Sequence, residues 1–135
     1  MSYDIYLLNP VTKETIKFDK PYDIQGGTYT IGGTSEAWLN ITYNYSKWYY
    51  RRGVFARTKK DSEGIRTIYG LSGAESIPIL DRAIKKLESI PWKVPKSMLE
   101  KDNGYWTPTK ENAIKPLYQL KTMAEMCPDG IWDGD

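Results

Sequence analysis

Apolar and polar positions alternate most regularly over Ala37–Tyr45. Ala37, Leu39, Ile41, Tyr43 and Tyr45 share one face of an extended chain, and Trp38, Asn40, Thr42 and Asn44 share the other. A period of two predicts a strand with one packed and one wet face. The polar row Asn40, Thr42, Asn44 could read amides or bases, or form the wet side of a sheet. Upstream, Tyr3–Leu8 is rich in strand formers, Asn9-Pro10 begins a polar turn, and Thr15–Phe18 can return as a second strand, which together predict a hairpin. Asp19–Gln25 reads as a loop. Gly26-Gly27 and Gly32-Gly33 bracket Thr28–Ile31 as a short strand between two corners.

Lys47–Thr58 fits either a helix capped by Ser46 or the next strand of a meander. Asp61–Gly64 is polar and reads as a loop, and Ile65–Tyr69 reads as a further strand. The pattern then changes period. Ile77, Leu80, Ala83, Ile84 and Leu87 have helical spacing through about Ser89, and Ser72-Gly73-Ala74-Glu75 matches a capping box. Pro78 resists so early a start, so Ser76 is a rival cap that would place the proline in the first turn. Pro91–Gly104, with two prolines and Trp92 as its anchor, reads as a connector. Thr107-Pro108 reads as a cap with proline at the first helical position. Ala113, Leu117, Leu120, Ala124 and Cys127 form an apolar stripe, with Pro116 expected to kink the helix and Pro128-Asp129-Gly130 to stop it. Strands precede helices, which predicts an α+β domain: an antiparallel sheet from the N-terminal half with two C-terminal helices on one face. Residues 1–135 read as a single domain without internal repeats.

Composition narrows the chemistry. A chain of 135 residues can bury roughly two-thirds of its unfolded surface. Cys127 is its one cysteine, so no disulfide forms within the chain, and a reducing, cytoplasmic setting is expected. The start has no basic cluster followed by a long apolar run, and no stretch approaches the ~20 apolar residues of a membrane span, so neither a signal peptide nor a membrane partner is expected. There is no histidine, which excludes serine–histidine and cysteine–histidine nucleophiles. The sequence implies no cofactor, no metal and no catalytic acid pair, and the expectation is a protein that is not an enzyme. The tail Pro128–Asp135 resembles part of a calcium loop but lacks its bidentate final acid, so a docked Trp132 among solvated acids is expected. The glycine pairs could frame a phosphate nest, but they match neither a P-loop nor a dinucleotide fingerprint.

Charge and aromatic content are concentrated together. The net charge is +2, yet residues 1–60 carry nine basic against five acidic side chains, and Ser46–Lys60 carries six basic side chains and no acid. There are eleven tyrosines and five tryptophans against two phenylalanines. Tyr43–Lys60 interleaves Tyr43, Tyr45, Trp48, Tyr49, Tyr50 and Phe55 with Lys47, Arg51, Arg52, Arg57, Lys59 and Lys60. Aromatic rings stack on bases while arginine and lysine meet phosphates, and the same residue types dominate protein hot spots. A partner-binding surface is therefore expected at Tyr43, Tyr45, Lys47, Trp48, Tyr49, Arg51, Arg52, Arg57, Lys59 and Lys60, with Trp48, Tyr49, Arg51 and Arg52 as its centre. The alternative is a packed segment with aromatics inward and charges in water.

Gly26-Gly27-Thr28-Tyr29, Gly33–Tyr45 (GTSEAWLNITYNY), Gly64–Pro78 (GIRTIYGLSGAESIP) and Pro128–Asp135 (PDGIWDGD) resemble an uncharacterised family of small phage, plasmid and integrated-element proteins of Firmicutes. The resemblance covers most of the chain, and its motifs mark a family rather than a reaction. Pro116 departs from the alanine-like residues of that family's last helix. Small accessory proteins on such elements are often anti-defence inhibitors, anti-CRISPR proteins among them. The resemblance thus implies a non-enzymatic inhibitor that binds a bacterial defence effector, a CRISPR nuclease first of all. The alternatives are a nucleic-acid-binding accessory protein and a sponge for a nucleotide immune signal.

Overall fold

A computed structural model describes residues 2–26, 29–55, 63–99 and 107–135, with side chains outside 19–35 and 98–99. The architecture is α+β. Strand β1 (Ser2–Leu8) lies at the centre of a three-stranded antiparallel sheet of order β4-β1-β5, with β4 at Trp38–Thr42 and β5 at Ile131–Gly134. Tyr3, Ile5 and Leu7 alternate inward along β1 and are fully buried. They share one core with the buried faces of α2 (Gly73–Ser89) and α4 (Lys110–Met126), which pack on each other.

The sheet's third strand is supplied by the C-terminal tail. Trp132 pairs with Leu7 and Ile131 with Leu8. Four residues holding an aspartate and a glycine carry little strand signal of their own; the partner strand supplies it. The predicted docking of Trp132 holds: its ring is 1% exposed.

The opening hairpin forms only its first rungs, through Leu8 and Thr15. Beyond them the Leu7 N–H donates to the Ala37 carbonyl, the Ala37 N–H to Ile16, and the Ile16 N–H to Leu7. At this junction the chain leaves the main sheet as a separate ribbon of β2 (Lys17–Gly26) and β3 (Tyr29–Glu36). The expected loop Asp19–Gln25 is therefore strand. Between the pairs Lys17–Glu36 and Tyr22–Thr34 the register slips, and Pro21 falls in that irregular stretch, where a missing N–H is tolerated. Between Tyr22–Thr34 and Ile24–Ile31, β3 carries one extra residue, at Gly32-Gly33. Those glycines form a bulge inside a strand rather than a corner. Gly27 and Thr28 lie outside the described residues, so the nest reading reaches beyond them.

The period-two stretch also ends early. After Thr42 the chain turns into a 3-10 turn, Tyr43–Tyr45, because the Thr42 hydroxyl accepts from the Asn44 N–H and caps it. The wet row is mostly occupied internally: Thr42 is buried, and Asn40 donates to Ser2 Oγ and Asp4 Oδ1. Gly64–Ile68 is a 3-10 helix where a strand was expected. Ile65 and Ile68, three apart and both fully buried, fit its three-residue turn.

Ser72 caps α2 with both bonds of a capping box, so Ser76 is not the cap. The backbone and side chain of Ser72 hold the Glu75 carboxyl below its usual range. The Gly73 and Ala74 N–H groups donate to Gly130 and Pro128, so the Pro128–Gly130 turn satisfies the first donors of α2. A Cβ on Gly73 would lie 2.7 Å from the Cys127 carbonyl oxygen. Pro78 sits inside α2 on an exposed face and costs one intrahelical bond. The cap of α4 is Thr109 rather than Thr107; its hydroxyl accepts from the Asn112 N–H. The helix continues as one element through Pro116, which is buried. A single turn, α3 (Lys96–Leu99), interrupts the predicted connector. Cys127 follows α4 half-buried, and burial pushes its thiol up, so it stays protonated at neutral pH.

Candidate functional site: a cationic cleft floored by Trp48

Of the stretch Lys47–Thr58, the described residues 47–55 form one helical turn, α1 (Ser46–Tyr49), followed by turns through Phe55. That turn sorts the segment by helical spacing. Tyr45, Trp48 and Tyr49 point inward, with Tyr45 and Tyr49 fully buried and Trp48 2% exposed. The Tyr49 hydroxyl donates to the Ala113 carbonyl of α4, and the Trp48 indole N–H donates to Pro108. These three aromatics belong to the core, which corrects the expectation that Tyr45, Trp48 and Tyr49 face a partner. Tyr43 is half-buried and engaged with Tyr3 and Arg66. Arg57, Lys59 and Lys60 lie outside the described residues.

Lys47, Tyr50 and Arg51 occupy the opposite stripe of the same turn. With Arg52 they line a cleft of about 410 Å³ whose other walls are Trp48 and Trp92. Among the described residues, the cleft thus unites Lys47, Arg51 and Arg52 with three aromatic side chains and no acid. The Lys47 ammonium and the Arg51 guanidinium each sit 5.7 Å from the Trp48 ring centroid. Ring quadrupoles attract such cations, so the buried indole holds both in place. Trp92 stands at 89° to Trp48, with centroids 5.2 Å apart, and forms a wall on this floor. Gly53, at φ +84°, turns the chain after Arg52, and a Cβ there would lie 3.1 Å from Lys86 Cε. Lys86 of α2 therefore places a fourth cation beside the cleft. Among the described residues, none of these four cations has a carboxylate partner, in contrast to Lys85 and Lys121, which share Asp81.

The segment's cations were legible in sequence, but Trp92 as a cleft wall was not. The pattern 45, 48, 49 against 47, 50, 51 is the signal that separates floor from rim.

A second constellation joins the segments Gly33–Tyr45, Gly64–Pro78 and Pro128–Asp135. The Arg66 guanidinium lies 4.8 Å from the Tyr3 centroid and 5.7 Å from the Tyr43 centroid. It donates to the Tyr43 hydroxyl and to the Asp135 carbonyl. The Asp135 carboxylate in turn accepts from the Asp4 N–H. Burial alone would lower the Arg66 pKa, but Tyr43, Tyr50 and Tyr3 outweigh it and the net change is upward. Burial likewise pushes Tyr69 up to about 12. This cluster ties β1, the 3-10 helix and β5 together.

Because the folded pKa of Tyr69 lies above its ordinary value of 10.0, the associated stability is complete below pH 10 and lost as pH rises toward about 12. Tyr118, also pushed up to about 12 by its bond to Glu88, adds to the same decline. Tyr69→Phe should therefore flatten, without abolishing, the fall in urea midpoint between pH 9 and 11.5. An unchanged curve would contradict this assignment.

Among the described residues, no helix is long and apolar enough to cross a membrane. No family model, curated protein or solved structure matches the chain.

Proposed function

We propose that the protein is a non-enzymatic, mobile-element inhibitor that binds a nucleic-acid-guided bacterial defence effector, a CRISPR nuclease first of all, through the Trp48 cleft. One observation carries the binding role: among the described residues, Lys47, Arg51 and Arg52 line a cleft with Trp48, Tyr50 and Trp92 and with no acid. Cations held close together repel one another, and an anionic partner relieves that repulsion. Arginine and aromatic rings in one depression are also the residue types that dominate binding hot spots. The resemblance of four segments to mobile-element proteins directs the reading toward a defence effector.

The test is capture of tagged protein from host cells, with and without nuclease treatment, and identification of the bound material by mass spectrometry. A stoichiometric defence protein in the captured material, held directly or through its own nucleic acid, is the expected result. Nucleic acid without a defence protein would overturn the inhibitor reading.

A further inference from the structure

We infer that the Trp48 cleft is a binding site for single-stranded nucleic acid, with Lys47, Arg51 and Arg52 on phosphates and Trp92 against a base. The inference rests on the reading of this cleft as the contact surface and names what it grips.

Three features select this ligand. First, both faces of the problem, charge and stacking, meet in one trough. Trp48 is nearly buried and already carries Lys47 and Arg51 above its ring, so it positions cations instead of stacking on a ligand. Trp92 is only half-buried and lines the cleft wall, whereas the Tyr50 ring packs on Gly64, where a Cβ would lie 3.1 Å from it, so Trp92 is the ring assigned to a base. Cations beside accessible flat rings are how proteins hold a strand without reading its sequence. A surface that offered carboxylates alone would use the cations and leave the rings without a matched partner.

Second, the site is concave and about 410 Å³ in volume, the size of a small-ligand pocket. Duplex DNA is read by an element that enters a groove, whereas a depression this size admits one or two nucleotides of an unpaired strand. Third, positive charge continues past the cleft. Lys86 packs against Gly53, one residue beyond Arg52. A free nucleotide would leave that cation without an anion, whereas the next phosphate of a strand would meet it.

The probe is a fluorescein-labelled deoxythymidine decamer, titrated with the full chain by anisotropy at 50 and 200 mM salt. Three or four phosphate contacts predict that affinity falls roughly 20- to 50-fold over that range. Arg51→Glu with Arg52→Glu should weaken binding at least about tenfold at 50 mM and reduce the salt slope. Trp92→Leu should weaken it about tenfold with the slope retained. Thermal melts of each variant establish that the fold is kept, and Arg51→Lys with Arg52→Lys, which preserves charge, should retain most of the affinity. ATP should compete only at far higher concentration than unlabelled decamer.

Absence of decamer binding at 50 mM salt, salt-insensitive binding, or binding unaffected by Arg51→Glu with Arg52→Glu would each overturn the inference. Equal competition by ATP would overturn it in favour of a mononucleotide. If the decamer fails while capture of the effector persists and is lost in the charge-reversed variant, the cleft grips protein, and the functional proposal survives without this inference.

Discussion

Replacing Trp132 with alanine lowers stability by about 3–5 kcal/mol, the range for deleting a fully buried tryptophan. That is a large fraction of the 5–15 kcal/mol typical of a domain, so the variant should be substantially less stable throughout its urea transition. The reason is the number of elements meeting at one side chain. Trp132 is 1% exposed, and its backbone N–H and carbonyl bond Leu71 and Gly70. Its indole N–H donates to Ser76 Oγ at 2.8 Å, while that hydroxyl donates to the Gly73 carbonyl. Through Leu7 the same residue is paired into the central strand. Alanine removes the volume and the donor together. Phenylalanine keeps most of the volume and should cost about 1–2 kcal/mol for the lost hydrogen bond and the small void. Urea unfolding with an unchanged m-value measures both, and a loss below about 1 kcal/mol for alanine would contradict the packing described.

Arg51→Glu combined with Arg52→Glu should abolish partner capture and leave the fold intact. Both side chains are exposed, and neither bonds a carboxylate among the described residues. Their reversal turns a cleft with three cations into one with a single cation and two acids. Like charges brought face to face cost several kcal/mol, which corresponds to a loss of about 100-fold or more. The melting temperature should fall by no more than about 4 °C, since Arg51 gives up only its cation–π contact with Trp48. Arg51→Lys with Arg52→Lys retains charge but loses the planar fork, so capture should fall only slightly. Full capture by the glutamate variant would remove the cleft from the contact surface. Trp48 offers the opposite contrast: its replacement should fail through unfolding, since it lies in the core and bonds Pro108.

These contrasts show what the sequence carried. The change from period two to helical spacing at Ser72 was legible and delivers the α+β class, and of the two rival caps, Ser72 and Ser76, the capping box at Ser72 is the one formed. Other elements depend on partners distant in sequence. β5 is a strand because β1 offers it a ladder, and β2 is a strand because β3 bulges at Gly32-Gly33 to follow it. The Ile65–Ile68 pair fits both a strand end and a tight helix, and only burial of both residues decides.

The site divides in the same way. Exposed cations were legible because Ser46–Lys60 has no acid to neutralise them. The aromatics were read as surface because composition does not say which way a ring points. One helical turn sends Tyr45, Trp48 and Tyr49 into the core and leaves Lys47, Tyr50 and Arg51 at the cleft. Trp92 reads in sequence as an anchor, yet its seat on Trp48 is a through-space fact. Three of the four motif-bearing segments meet at Arg66, where they hold strand, turn and tail together.

The most direct test of the central claim is photo-crosslinking in host cells from a photoreactive aromatic residue placed at Arg52, compared with the same residue at Lys121. Arg52 lines the cleft, and Lys121 lies in the Asp81 ion-pair cluster between α2 and α4. The account predicts a discrete crosslinked partner from position 52 and none from position 121. Crosslinks from position 121 alone would contradict it and move the contact surface to the helical face.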